Sequence, residues 1–147
     1  MPKNPDNPVY QAHPDFVDVG LGGFLASKPE WAAYAASEWG KMRVPTLRNV
    51  DLRPHPTDVK AYMHNGVFKS LEEVVRFYNT RDVLPRCTTV NTRADWGELC
   101  WPAPEVDVNV NTTELGSLGL TRAEEADLVA FMKALSDGYL PDPRGKR

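Results

Sequence analysis

Residues 60–79 restrict the fold of this chain most, because they join a tight polar turn to a short amphipathic helix. Gly66 frees the backbone of the turn, and Ser70 opens the helix with Glu73 as its capping-box partner. One face of the helix is apolar; it consists of Leu71, Val74, Val75 and Tyr78. The pattern predicts a helix over 71–79. By itself the pattern fits an ordinary core helix better than a helix packed against a flat cofactor.

The composition predicts one domain without regular architecture. The chain has 147 residues, enough for a real core, and its 13 prolines and 10 glycines imply many irregular connections. We therefore expect a mainly α-helical fold of short helices and long Pro/Gly-rich loops. A net charge of −3 gives no basic surface for nucleic acid. No apolar run approaches a membrane span, and the first residues are too polar for a signal peptide.

Three motifs in a fixed order resemble the C-terminal haem domain of the bacterial di-haem cytochrome c peroxidases, a superfamily that includes the methylamine-utilisation di-haem enzyme. They are PTLRNV at 45–50, YMHNG at 62–66 and SLEEVVRFYN at 70–79. The resemblance continues through 101–105 and 118–121 to the last predicted helix. It implies a class I cytochrome c-like domain of a periplasmic oxidoreductase. Such a protein would reduce hydrogen peroxide or a related oxidant, with electrons from a small donor protein.

The attachment motif of that family is missing. Its members bind each haem c covalently through Cys-x-x-Cys-His, whose histidine also ligates the iron. Here neither Cys87 nor Cys100 is followed by histidine in that spacing. In the relatives the motif lies just upstream of the segment that corresponds to residues 2–5.

The resemblance therefore implies that residues 1–147 are the C-terminal part of a haem domain. The haem would be attached by an upstream segment or a separate subunit, and any export signal would lie outside this sequence. We expect no activity from the chain alone. The alternative is a non-catalytic domain that docks on a haem-bearing partner and completes it.

Two residues compete for the iron position opposite the attaching histidine. The resemblance places Tyr78 where the di-haem peroxidases carry an axial methionine and the methylamine-utilisation enzyme an axial tyrosine. An anionic phenolate would stabilise ferric and higher oxidation states. Met63 is the alternative, because methionine is a common sixth ligand in electron-transfer cytochromes. We favour Tyr78 as the ligand, and a purely structural tyrosine is the third interpretation.

Two further residues are expected near the haem edge. The resemblance places Arg48 where its guanidinium can bind a haem propionate bidentately; a surface salt bridge is equally consistent with the sequence. His64 is predicted to hydrogen-bond within the turn or near a propionate rather than to ligate iron. His13 and His55 are interpreted as solvent-exposed loop residues.

A calcium site is a further expectation that rests on the resemblance alone. The family binds calcium between its two haem domains partly through the carbonyls of a threonine and a proline. Val59 and Ala61 occupy those positions here. Because backbone carbonyls do not depend on the side chain, the site can survive the replacements.

The two cysteines bracket a polar loop with no core of its own. A disulfide between Cys87 and Cys100 would restrict the unfolded chain by about 3 kcal/mol on the loop-entropy model. Metal binding is disfavoured because no partner cysteines or close histidines exist. Free thiols are the alternative. The resemblance to periplasmic proteins favours the disulfide.

Two more capping boxes predict helices; the pairs are Ser27 with Glu30 and Thr121 with Glu124. The first predicts a helix to about Trp39, ended by Gly40, with its aromatic residues in the core. The second opens the last helix, which resembles the last helix of class I cytochrome c domains. Gly138 ends that helix, and its apolar stripe consists of Leu128, Phe131, Met132 and Leu135.

The two ends of the chain carry little that predicts regular structure. Residues 1–23 are predicted as an extended, proline-punctuated arm that lies across another surface. Residues 139–147 are predicted as a flexible polar tail.

Overall fold

A computed structural model describes residues 1–53 and 58–138. In these ranges the helices are α1 (Pro8–Ala12), α2 (Gly20–Ala26), α3 (Ala35–Glu38), α4 (Leu71–Thr80) and α5 (Arg122–Ala134), with 3₁₀ turns at Ala32–Tyr34 and Arg93–Asp95. Extended pairing in the same residues is limited to isolated bridges. The fold is therefore mainly helical, as predicted. His55 and the predicted tail at 139–147 lie outside the described residues.

None of the helices within those two ranges is long and apolar enough to cross a membrane.

The central helix, α4, forms where the sequence predicts it. The Ser70 hydroxyl accepts a hydrogen bond from the Glu73 N–H at 3.1 Å, which caps the first turn. The Glu73 carboxylate accepts from the N–H of Lys69 at 2.7 Å rather than from that of Ser70. The helix start is thus held by a capping arrangement displaced by one residue from the predicted box.

Two hydrophobic clusters pack around α4. The first is the aromatic cluster, formed by Val67, Phe68, Phe77 and Trp101. Its three rings contact one another with centroids 5.0–5.7 Å apart. The second cluster joins α4 to α5 and is formed by Leu71, Val75 and Val129. Phe77 is buried and Tyr78 only half-buried, so the buried surface of α4 is wider than the predicted face.

A buried polar network fastens α4 to α5. Thr121 and Glu124 form the predicted capping box at the start of α5. One turn in, the carboxylate of Glu125 accepts hydrogen bonds from Asn79 at 2.6 Å and Arg76 at 3.0 Å. Burial alone would raise the pKa of Glu125, but these two donors outweigh it and hold that pKa below the ordinary value.

The predicted apolar stripe of α5 is split between two environments. Of its residues, Met132 packs against the second cluster, whereas Leu128 and Phe131 are exposed, Phe131 to 59%. The line of α5 that faces α4 is 125, 129 and 132. It is displaced from the predicted stripe, because it includes Val129, which the stripe omitted.

The predicted helix from Ser27 to Trp39 is wrong. Ser27 instead ends α2, and its hydroxyl donates to the Phe24 carbonyl at 2.7 Å. A turn, a 3₁₀ turn and the four-residue α3 follow. Trp31 and Tyr34 are 45% and 64% exposed, so they do not join the core as predicted.

The predicted arm at 1–23 is only partly extended, because it contains α1 and the start of α2. Asn7 caps α1 by accepting from the Val9 N–H at 2.9 Å. In α2, a Cβ at Gly22 would lie 2.5 Å from the Cα of Trp39. Gly22 therefore lets α2 approach the segment around Trp39 closely.

Candidate functional site

The site begins with the polar turn that precedes α4. Tyr62 and Phe68 form an antiparallel bridge, and the Tyr62 N–H donates to the Phe68 carbonyl at 2.8 Å. Between them, the Gly66 N–H donates to the Met63 carbonyl at 3.2 Å. Both Met63 and Gly66 have positive φ, +69° and +70°. Glycine adopts this conformation freely, whereas methionine does so at an energetic cost.

The turn brings together the two residues predicted as alternative iron ligands. The Tyr78 hydroxyl lies 3.8 Å from the Met63 sulfur and donates a weak hydrogen bond to it. Both side chains pack against the edge of the aromatic cluster. Within the described part of the chain, this sulfur is the only hydrogen-bond partner of the half-buried phenol. Burial raises the pKa of Tyr78, and the Arg81 guanidinium opposes that shift.

The pair consists of two donor types that proteins use to hold haem iron. A thioether and a phenol are both established axial donors to haem iron. Here the two donor atoms lie side by side, and neither is fully buried. The phenol is under-used as a hydrogen-bond donor, because a thioether is a weak acceptor. An iron atom approaching from outside this chain would therefore displace little when it binds one of them.

His64 faces two carboxylates rather than the rest of its own turn. Its Nε2 lies 3.9 Å from oxygens of both Asp18 and Glu105. Burial lowers the pKa of His64, while the two carboxylates oppose that shift. Glu105 is itself buried and accepts a hydrogen bond from the Tyr10 hydroxyl at 2.8 Å. A cavity of about 30 Å³ adjoins His64, which is room for one or two waters.

Arg48 lies at the surface beside the end of α5. Its Nε and Nη2 donate to one oxygen of Asp137 at 3.1 and 2.6 Å. This is the surface salt bridge that the sequence left open as the alternative to a propionate contact. The exposed guanidinium is free to exchange one carboxylate partner for another at little cost.

The calcium expectation is not tested by the described side chains. Val59 is exposed, and Ala61 packs close to Gly66. No group of three or more acidic, histidine or cysteine side chains within the described ranges could hold a metal ion. A site built from the Val59 and Ala61 carbonyls stays a prediction.

Cys87 and Cys100 form a disulfide, as predicted, with their Cα atoms 5.0 Å apart. The loop it closes packs against α4: the Gly97 carbonyl accepts from Arg76 at 2.8 Å. Arg93 of the same loop donates to the Val67 carbonyl at 3.1 Å. The disulfide occupies both thiols of the sequence, so the chain as folded has none for haem attachment.

The sequence did not reveal how the start of the chain completes the turn. The Asn65 amide donates to the Pro2 carbonyl, and the Asn4 amide donates to the Asn65 carbonyl, both at 2.8 Å. An Asn-Gly pair at 65–66 is a typical turn signal. Nothing in that signal identifies a partner more than sixty residues away, so this contact was missed.

Known proteins with similar sequences identify the relatives of this chain. The chain is 39% identical to methylamine utilization protein MauG of Paracoccus denitrificans over 126 residues. The matched segment spans 84% of this chain and 28% of MauG. The chain is also 39% identical over 97 residues to cytochrome-c peroxidase IdrP1 of Denitromonas iodatirespirans, spanning 66% of this chain and 18% of that protein. The chain is a homologue of the di-haem cytochrome c peroxidases. This confirms the resemblance drawn from the three motifs.

A third relative matches almost the whole length of this chain. IdrP1 of Pseudomonas sp. strain SCT is 29% identical over 139 residues, which span 89% of this chain and 29% of that protein. The chain therefore covers less than a third of these relatives. No protein-family model and no solved structure matches it.

Proposed function

We propose that this chain is the C-terminal portion of a periplasmic di-haem cytochrome c peroxidase-like oxidoreductase, with a class I cytochrome c-like fold. It would supply the sixth-ligand side and the propionate surroundings of a haem c attached to another segment or subunit. The observation that carries the proposal is the Tyr78 hydroxyl, half-buried against the aromatic cluster with only the Met63 sulfur as its partner among the described residues.

In this proposal Tyr78 would hold the haem iron, and Met63 would lie beside it. Bound haem c supplies the redox chemistry with peroxide. Burial raises the pKa of the Tyr78 phenol, so its proton would have to leave before the oxygen could hold a metal as an anion. The nearby Arg81 guanidinium favours that loss because it stabilises the anionic phenolate. Arg48 would exchange Asp137 for a propionate, and His64 would lie beside the second propionate.

The source of the haem follows from the cysteines. Both are used in the Cys87–Cys100 disulfide, and neither belongs to an attachment motif. The covalent link would therefore lie on an upstream segment or a partner subunit. The disulfide also supports a periplasmic location, since such bonds persist in oxidising compartments. A small electron-donor protein, and calcium at the Val59 and Ala61 carbonyls, complete the proposal.

The alternative function is a non-catalytic domain that docks on a haem-bearing partner and completes it. The missing attachment motif is equally consistent with a docking domain and with a catalytic portion. The two are separated by activity: a catalytic portion is required for peroxide turnover by the assembly, whereas a docking domain is required only for its stability.

The ligand assignment is tested in the haem-containing assembly with two matched substitutions. Tyr78→Phe keeps the ring and removes the oxygen, so the iron loses its sixth ligand and its optical spectrum and spin state change. Met63→Leu removes the sulfur at nearly constant volume and should leave the spectrum close to that of the unmodified protein. A shifted spectrum for Met63→Leu with an unchanged one for Tyr78→Phe would assign the ligand to methionine.

The attachment claim has its own test. A denaturing gel of the assembly, stained for haem peroxidase activity, should show no band at the mass of this chain. A stained band at that mass would contradict the proposal that the haem is attached elsewhere.

A further inference from the structure

Met63 has an unusual backbone for its residue type. Three non-glycine residues among those described have positive φ, and the other two, Asn49 and Asn109, are asparagines. Asparagine adopts the left-handed conformation readily because its short amide can hydrogen-bond locally. Methionine has no such compensation, so something else must hold this residue in place.

Two buried asparagines surround the turn and can do this. Asn65 makes three such contacts: its amide donates to the Pro2 carbonyl, its side-chain oxygen accepts from the Val67 N–H, and its carbonyl accepts from Asn4. Asn4 is equally committed, since its side-chain oxygen accepts from the Asp6 N–H at 3.0 Å. Both residues are buried, and so is Pro2. We call these two amide contacts, from Asn4 to the Asn65 carbonyl and from Asn65 to the Pro2 carbonyl, the amide clamp.

We propose that the amide clamp positions Met63, so that Asn4 and Asn65 are positioning residues for the Met63–Tyr78 pair. The Gly66 N–H closes the turn on the Met63 carbonyl, and the clamp fixes the tip of the same turn two residues away. Without it, the bridge between Tyr62 and Phe68 would be left to hold the loop. The Met63 side chain would then leave the Tyr78 hydroxyl as its backbone relaxes.

The role of the clamp in iron binding rests on the proposed function. The effect of the clamp on Met63 can be measured without it. The proposed clamp assigns to the first four residues a part in shaping the iron-binding side, although they lie far from that side in sequence. It also explains why the Asn4 and Asn65 amides are buried in hydrogen bonds to backbone carbonyls rather than exposed.

The test measures the oxidation of individual methionines by dilute hydrogen peroxide in the 147-residue chain, followed by peptide mass spectrometry. Met132, packed against the second cluster on α5, is the internal reference for global unfolding. Asn65→Asp keeps the side-chain oxygen that accepts from Val67 and removes the donor to Pro2. The ratio of Met63 to Met132 oxidation rates should rise about tenfold, as expected if loss of a buried hydrogen bond makes the open turn about tenfold more populated.

Asn4→Asp tests the other half of the clamp and should raise the same ratio. Asn109→Asp is the matched control, because the Asn109 amide also donates to backbone carbonyls, those of Ala36 and Trp39, away from the turn. It should leave the ratio unchanged. An unchanged ratio in both clamp variants, or an equal rise for Met63 and Met132, would overturn the proposal. The measurement needs no haem, so its failure is distinct from a failure of haem binding.

Discussion

Two regions of this protein contain similar aromatic residues, but the rings are buried in one region and exposed in the other. Around α4, Phe77 and Trp101 meet edge to face with ring centroids 5.0 Å apart, and Trp101 is 1% exposed. Around α2 and the following turn, Phe24 and Trp31 also contact, at 5.9 Å, yet Trp31 is 45% exposed. A ring contact alone therefore does not make a core.

The difference lies in what covers the rings. The α4 rings are enclosed by the polar turn, by the disulfide loop and by the Thr80 hydroxyl, which accepts from the Trp101 indole at 3.0 Å. Near α2, the Phe24 ring contacts Trp31 and has the Lys28 ammonium 5.8 Å from its centroid, yet Phe24 is 52% exposed. Apolar burial stabilises in proportion to the area removed from water, so the α4 region should carry most of the stability of this chain.

The largest expected effect tests this contrast directly. Trp101→Ala leaves a large cavity and removes the indole donor to the Thr80 hydroxyl, so we expect a loss of about 3–5 kcal/mol in the free energy of unfolding. Trp31→Ala should change it by less than about 1 kcal/mol. Chemical denaturation of both variants measures the difference. Similar losses for the two would show that the exposed region contributes as much as the core.

Next in size is the disulfide that encloses the aromatic cluster. Replacing both Cys87 and Cys100 with serine should lower the free energy of unfolding by about 3 kcal/mol, because the unfolded chain regains loop entropy. Intact-mass analysis should first show that the native chain gains two hydrogens on reduction. A chain whose mass does not change with reductant would have free thiols, and the enclosure argument would fail.

A smaller effect concerns the contact between α4 and α5. Glu125→Gln removes a buried charge that Asn79 and Arg76 stabilise, and should cost about 1–3 kcal/mol at neutral pH. Because the folded pKa of Glu125 is lowered, its contribution is present above the unfolded value of about 4.3 and is lost as pH falls through the folded pKa.

The difference between the native chain and this variant should therefore shrink under acid conditions. Denaturation at a series of pH values measures it, with the exposed Glu30→Gln as a control for loss of one charge. A difference that does not vary with pH would contradict a stabilised carboxylate at this position.

The smallest expected effect is at the surface. Arg48→Ala breaks an exposed pair with Asp137 and should change the stability of the isolated chain by about 0.5 kcal/mol or less. In the haem-containing assembly the same change should alter haem retention, if Arg48 binds a propionate there. A large loss in the isolated chain would instead assign Arg48 a structural role.

The local features of this protein were readable from its sequence. The Ser70 and Thr121 caps, the position of α4, the disulfide and the relation to di-haem peroxidases all follow from residues close together in the chain or from motif order. Such features depend on hydrogen bonds and periodicities within a few residues, or on an identifiable partner cysteine. A sequence pattern can predict interactions between residues that lie that close together in the chain.

Tertiary structure decided which apolar faces are covered and which polar groups meet. The Ser27 box was wrong because Ser27 closes the preceding helix. The last helix, α5, packs on α4 through a line that includes Val129, which the predicted stripe omitted. The contact of Tyr78 with Met63 and the amide clamp join segments 15 and 61 residues apart. Local propensity cannot specify such contacts, because their free energy appears only when distant segments are packed together.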